Sequence, residues 1–169
     1  MDNFNSCLYP CNLAGAKKYW SGTSIYRWLL SGKNKMKNIE ILRLKKDDEL
    51  ILGIIKFCQS RNIKSAWFSG LGAAQSIRLA LYNLKKKEYT KKEISGPLEF
   101  ANITGNIGLK DGQAIVHCHA TVSDKNMMAH AGHVEEAVIG ATCEIIFQTL
   151  DVPLTRKHNE EIGLNLLDL

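Results

Sequence analysis

The sequence predicts an α/β (α+β) domain built on a largely antiparallel β-sheet of six to eight strands with few helices. Three observations lead there. One segment, from Leu50 to Cys58, carries apolar residues at three- and four-residue spacing. From Ser65 onward, short alternating or apolar runs follow one another, punctuated by Gly, Asn and Asp. The 169 residues are one domain's worth, enough to bury a core without disulfide staples.

The elements follow in order. Ile39-Glu-Ile-Leu-Arg-Leu44 reads as a strand, and Lys45 to Asp48 as a turn with Asp47 or Asp48 placed to cap a helix. That helix runs to about Arg61 and buries the face of Leu50, Ile51, Ile54, Ile55 and Cys58. Ser65 to Ser69 is a strand expected to stop at Gly70-Leu-Gly72. Ser76 to Leu84 alternates, with Ile77, Leu79 and Leu81 on one side. Lys85 to Ile94 is a charged, exposed strand or hairpin. Leu98 to Ile107 is a further strand, and Asp111-Gly112 a turn. Gln113 to Val122 is a long strand. Gly132 to Ile139 is short and expected to break at Gly140, and Thr142 to Leu150 follows. Residues 1–35, rich in Ser, Asn, Gly and Lys, show neither period. They are expected to be a disordered tail, or the product of a start codon assigned ahead of Met36, with the patterned domain spanning 36–169.

Composition narrows the function. The net charge of +5 is concentrated in residues 1–35, which hold five basic residues and one acid. The remaining 17 basic and 16 acidic residues nearly cancel, so any attraction to phosphate must come from a local patch. The Lys85-Lys86-Lys87 and Lys91-Lys92 cluster is the candidate. A solvated edge strand guarded against aggregation is the plainer reading of the same lysines. Five cysteines, an odd number, argue against a secreted disulfide framework. No stretch resembles a signal peptide or reaches the roughly 18 apolar residues of a membrane span. A cytoplasmic protein without membrane partners is expected.

His117-Cys118-His119 carries the sharpest chemistry. Residues two apart on a strand point to the same face, so the two imidazoles can converge on one ion, while Cys118 turns to the core. His133 follows after a turn, and Gly132 beside it lets the backbone come close. Three imidazoles with a fourth position open suit a reactive zinc; nickel, copper or iron also accept imidazole. Cupins use His-x-His as well, but here Ser123 stands where they place a Glu. His130 is a possible fourth ligand or a solvent-facing loop residue, and His158 is a surface residue. Glu144 and Glu99 sit opposite apolar neighbours on their strands. Either could act as a base or orient a ligand histidine, or simply be solvated.

These residues resemble a family. His117-x-His119, Asp124, Gly132-His133 and Thr142-Cys-Glu144 are similar to the core signature of the PPC (plant and prokaryote conserved) domain. Gly70-Leu-Gly-Ala73, Ala80-Leu-Tyr82, Leu98-Glu-Phe100, Ile103-Thr-Gly-Asn-Ile107, Arg156 and Gly163-Leu-Asn-Leu-Leu167 agree in order, so the resemblance covers about Asn38 to Leu169. Ala131 departs from it, standing where the family usually has a glycine. The resemblance implies a PPC-domain-like fold, a homotrimer, and a metal such as zinc on His117, His119 and His133. It also carries a label of DNA binding and gene regulation, although the AT-hook of plant members is absent here, since no Arg-Gly-Arg occurs. Three functions stay open: a DNA-associated regulatory trimer, a metal-dependent enzyme acting on a small molecule, and a non-catalytic trimeric module that binds a ligand or partner.

Overall fold

Five long strands and one helix follow from that pattern, with fewer breaks than the glycines suggest. The computed structural model describes residues 38–169; the expectation for residues 1–35 lies outside them. The order is β1 (Ile39–Lys45), α1 (Leu50–Ser60), β2 (Ala66–Asn83), β3 (Glu88–Lys110), β4 (Gln113–Ser123), β5 (Ala129–Thr149), β6 (Arg156–Asn159) and β7 (Leu164–Leu167). All strand pairings are antiparallel.

The sheet order is β1-β5-β2-β3-β4, and β4 also pairs with β5. Strands β2 to β5 therefore close into a ring. β5 makes this possible by its length. Its first part pairs with β4 and β2, and its last part with β1 and β2. A closed ring of hydrogen bonds leaves few free edges for unwanted pairing.

Two expected breaks are not there. The strand at Ser65 to Ser69 runs on through Gly70-Leu-Gly72 to Asn83, and β5 runs through Gly140. Here glycine marks close backbone approach instead of a strand end. Gly72 sits at φ 153° beside a register shift, and a Cβ there would collide with the Thr142 carbonyl and Cys143 Cα of β5. At Gly140 a Cβ would lie 2.9 Å from the Ala74 carbonyl carbon. Likewise the strands expected on either side of Gly96 are one, β3, and Lys85 to Lys87 form the turn leading into it.

The helix cap also differs from expectation. Glu49, not Asp47 or Asp48, is the N-cap. Its carboxylate accepts from Ile51 N at 3.1 Å and Leu52 N at 2.6 Å, and reaches Ala137 N of β5 at 3.2 Å. Asp48 is used earlier, accepting from Lys45 N at 2.8 Å to close the turn. The helix ends in a Schellman arrangement. Asn62 takes φ 54°, Asn62 N donates to Gln59 O, and Ile63 N donates to Cys58 O.

The helix lays Leu50, Ile54 and Cys58 on the inner face of the curved sheet. Phe57, Phe147 and Phe68 stack in series there, with ring centroids 5.3 Å apart at each step. Leu81, which alternation puts on one side with Ile77 and Leu79, is 74% exposed while those two are buried. The opposite, outer face keeps large apolar groups in the open: Ile41, Trp67, Leu71 and Ile146.

The last segment crosses back over β3. Leu109 N donates to Leu154 O at 2.7 Å, and Leu154 N donates to the buried Ser65 hydroxyl at 2.7 Å. This docking brings the β6–β7 hairpin against the outside of β3 and fixes where Arg156 lies.

Candidate metal centre

One hairpin delivers all three histidines. β4 and β5 pair with His119 directly opposite His133, and His117 sits two residues back on the same face as His119. The register is set by Asp124. Its carboxylate accepts from Asn126 N at 2.8 Å and Met128 N at 3.1 Å, and Met127 turns at φ 60°. Ala131, despite the absent glycine, is an ordinary ladder residue opposite Thr121. Gly132 sits against Ala80 of β2, where a Cβ would come within 3.0 Å of the Ala80 carbonyl oxygen, so it does let β5 approach β2 closely.

The imidazoles form a near-equilateral triangle, with ring centroids 5.2, 5.4 and 5.4 Å apart. One nitrogen from each lies within 4.8 Å of the others. A point central to such a triangle is at most about 2.8 Å from each nitrogen, so a shift of under ~1 Å would reach the roughly 2.0–2.1 Å of a zinc–imidazole bond. Two further observations fit an ion. His133 Nδ1 is buried without a hydrogen-bond partner, a rarity for a buried polar atom. Two of the histidines are also biased towards the neutral form. Burial, then Arg156, His133 and His119, pull His117 down to about 4. Burial, then His119, lowers His133 against an opposing push from Glu135. Neutral imidazole is the form that ligates.

The surroundings are aromatic on one side and basic on the other. Tyr89 stacks on His133 with centroids 5.5 Å apart, and Tyr82 packs on Tyr89 at 4.9 Å. Burial, Tyr82 and Glu135 raise the Tyr89 hydroxyl above its ordinary pKa. On the other side Arg156 donates to Asn106 Oδ1 at 2.6 Å, and Asn106 is the cross-strand neighbour of His117.

Not every expected site residue is here. Cys118 is in the core, 1% exposed, as its alternation requires. Burial pushes its thiol up to about 12. His130 pairs with Asp124 at 3.2 Å, and His158 lies 3.7 Å from Glu160; neither joins the cluster. Glu144 is not brought to the histidines. It lies on β5 opposite Arg43 and Leu71, roughly 35 Å of strand beyond His133 at about 3.3 Å per residue. Glu99 faces Ser123 and Ala73, roughly 16 Å along β3 from Thr104, the residue opposite His119. Alternation gave each an outward face, but position along the strand separates both from the centre. The carboxylate near the site is Glu135, two residues after His133, and it is held by Lys91 at 2.8 Å. The spacing His133-x-Glu135 could have found it; nothing local could have placed Arg156.

The lysine cluster is exposed but partly spent. Lys86 pairs with Glu88 at 3.5 Å, Lys91 with Glu135, and Lys87 donates to the Glu160 carbonyl at 2.7 Å. Lys85 and Lys92 make no ion pair among the described residues. No helix among the described residues is long and apolar enough to cross a membrane.

Comparison with known proteins agrees with this layout. Residues 32–151 match the profile of the Plants and Prokaryotes Conserved (PCC) domain. A protein from Bacteroides thetaiotaomicron, described as a candidate DNA-binding protein, is 30% identical with a TM-score of 0.76, over 80% of this chain and 94% of that one. A metal-containing protein from Archaeoglobus fulgidus is 30% identical with a TM-score of 0.73, over 78% and 93%. A plant- and prokaryote-conserved (PPC) protein from Pyrococcus horikoshii is 25% identical with a TM-score of 0.72, over 78% and 91%. No curated protein matches the chain.

Proposed function

The chain belongs to the Plants and Prokaryotes Conserved domain family, and we propose that it works as a homotrimer in which His117, His119 and His133 of each chain hold a divalent metal ion, zinc in the first instance. The convergence of three imidazoles from one hairpin carries the reading. The relative from Archaeoglobus fulgidus, described as metal-containing, supports it. Self-association is supported by the outer face, where Ile41, Trp67, Leu71 and Ile146 lie open on neighbouring strands. Contiguous apolar surface of that kind normally marks an interface.

A divalent ion held by His117, His119 and His133 would supply a Lewis acid for a ligand oxygen. The chain's own residues shape what reaches it. Tyr89 walls one side and orients His133 by stacking, and Arg156 supplies positive charge on the other. Glu144 and Glu99 of the same chain lie far along their strands from the histidines, and Glu135 is engaged by Lys91. That arrangement favours a ligand-binding centre over a hydrolytic one.

DNA association is the second reading, supported by the description of the Bacteroides thetaiotaomicron relative. The lysines that would make the contact, Lys85, Lys86, Lys87, Lys91 and Lys92, keep only part of their charge free. Trimerisation would present the patch three times and add avidity.

The deciding experiment is elemental analysis of untagged protein beside a His117→Ala/His119→Ala variant. About one metal ion per chain, lost in the variant, is the expected result. Absence of metal from the wild type, even after incubation with zinc, overturns the centre. Binding to a DNA duplex that does not weaken as salt rises would remove the DNA reading, because phosphate contacts release counterions.

A further inference from the structure

We propose that Arg156 makes the three-histidine centre a receptor for a small oxyanion, a carboxylate or a phosphate, held between its guanidinium and the imidazoles. The inference rests on the metal reading above and names the ligand class of that same site.

Three buried side-chain polar atoms lack a hydrogen-bond partner among the described residues: His133 Nδ1, Arg156 Nε and Asn165 Oδ1. They are not scattered. Arg156 donates from Nη1 to the Asn165 carbonyl at 2.9 Å and from Nη2 to Asn106 Oδ1 at 2.6 Å. Asn106 stands across the ladder from His117, whose ring lies close to that of His133. Buried polar groups are nearly always satisfied; the ion proposed above answers for His133 Nδ1, so Arg156 Nε and Asn165 Oδ1, joined through Arg156, point to a second missing partner.

Charge says what kind of partner. Arg156 makes no ion pair among the described residues, and both its acceptors are neutral. A divalent ion would add to this excess of positive charge. Arg156 is only partly buried, but its Nε is enclosed and unpaired, and an oxyanion there would accept from it and offset the charge. Water would satisfy the orphaned N–H but not the charge.

The fold keeps a place for the group. At Gly108, in line with Asn106 on the outer side of β3, Arg156 Nε lies 3.6 Å from where a Cβ would stand, so the guanidinium rests over the strand. The Nη donors are committed to protein acceptors, while Nε–H remains to be shared with a ligand oxygen. The amide of Asn165 is a second adaptable contact, since turning it exchanges the orphaned oxygen for a donor.

The test uses the full-length protein loaded with zinc, titrated calorimetrically with succinate and, separately, with inorganic phosphate. Zinc content, circular dichroism and melting are followed for every variant. The wild type should bind one of the two anions, and whichever binds tighter identifies the source chemistry. Arg156→Gln should weaken binding roughly ten- to a hundredfold, the loss of one charge-assisted hydrogen bond, with zinc content unchanged. Arg156→Lys, which keeps the charge but not the fork, should fall between, and it carries the comparison if the glutamine variant does not fold. Equal anion affinity in the wild type and both variants overturns the proposal, as does a zinc-loaded wild type that binds neither anion. A wild type that holds no zinc sinks the metal reading and this one together, and the zinc measurement tells that case apart.

Discussion

Gly105 stands where the core and the metal centre share a backbone, and replacing it with alanine separates the two. Gly105 lies on β3 opposite Cys118, between the residues that face His117 and His119. A Cβ built there collides with the His117 carbonyl oxygen on one side and the tip of the Phe68 ring on the other, both well inside the 3.0 Å that real Cβ atoms keep. The carbonyl is backbone, and Phe68 is fully buried between Phe147 and the sheet, so neither yields easily. Overpacking of this kind costs about 1–3 kcal/mol. The unfolded chain returns about 0.4–1 kcal/mol, because alanine has less conformational freedom to lose. The net expectation for Gly105→Ala is roughly 1–2 kcal/mol of lost stability. Gly53→Ala is the internal control. Its Cβ meets only the end of the Leu44 side chain, at 2.6 Å, and alanine gains about 1 kcal/mol of helix propensity, so it should be near neutral. Urea denaturation with equal m-values reads both. Since β4 must give way at His117, zinc affinity of Gly105→Ala should also drop, by about tenfold. A Gly105→Ala protein as stable as Gly53→Ala, with wild-type zinc affinity, would refute the reasoning.

Other outcomes follow from the same structure. Glu49→Ala removes the cap of the helix and its tie to Ala137 N, so it should cost about 2 kcal/mol, with Glu49→Gln costing less; urea midpoints measure both. In the metal-free protein His117 takes up its proton near pH 4 when folded but near the ordinary imidazole value when unfolded. Its contribution is therefore intact above the unfolded value and is lost as pH falls from about 6.5 towards the folded one. Replacing His117 with Asn should flatten the pH dependence of the melting temperature in that window; an unchanged slope would contradict the neutral site. Leu71→Asp places a charge in the middle of the open apolar face. It should leave zinc content alone and reduce the mass in sedimentation to that of one chain, whereas an unchanged mass would move the interface elsewhere.

The sequence made part of this legible and hid the rest for physical reasons. His117 and His119 could be placed on one face because the strand period is fixed at two. His133 needed only the hairpin register, which Asp124 sets through local hydrogen bonds. The glycines misled at Gly70-Leu-Gly72 and Gly140 because a glycine that ends a strand and one that admits a neighbouring backbone look the same in one dimension. Glu49 was passed over as a cap because Asp47 and Asp48 beside it are commoner there, and only the turn geometry shows that Asp48 is already used. Glu144 and Glu99 had the right facing but the wrong position along the sheet, which depends on register over long separations. Arg156 reaches Asn106 only after the closing segment crosses β3, a contact with no local signal.

The placement of the histidines within a single hairpin bears on the order in which the molecule assembles. β2–β3, β3–β4 and β4–β5 are successive hairpins whose partners are near in sequence. β1, by contrast, meets β5 through Ile39 and Gln148, and β2 meets it through Ala66 and Thr149. Closing such long spans is the slow part of folding, while a hairpin forms in about 1–10 μs. The three histidines thus come together in a locally formed hairpin that does not depend on closure of the ring. Arg156 comes to it only when the last segment docks, so the imidazole triangle is expected to form before the guanidinium joins it.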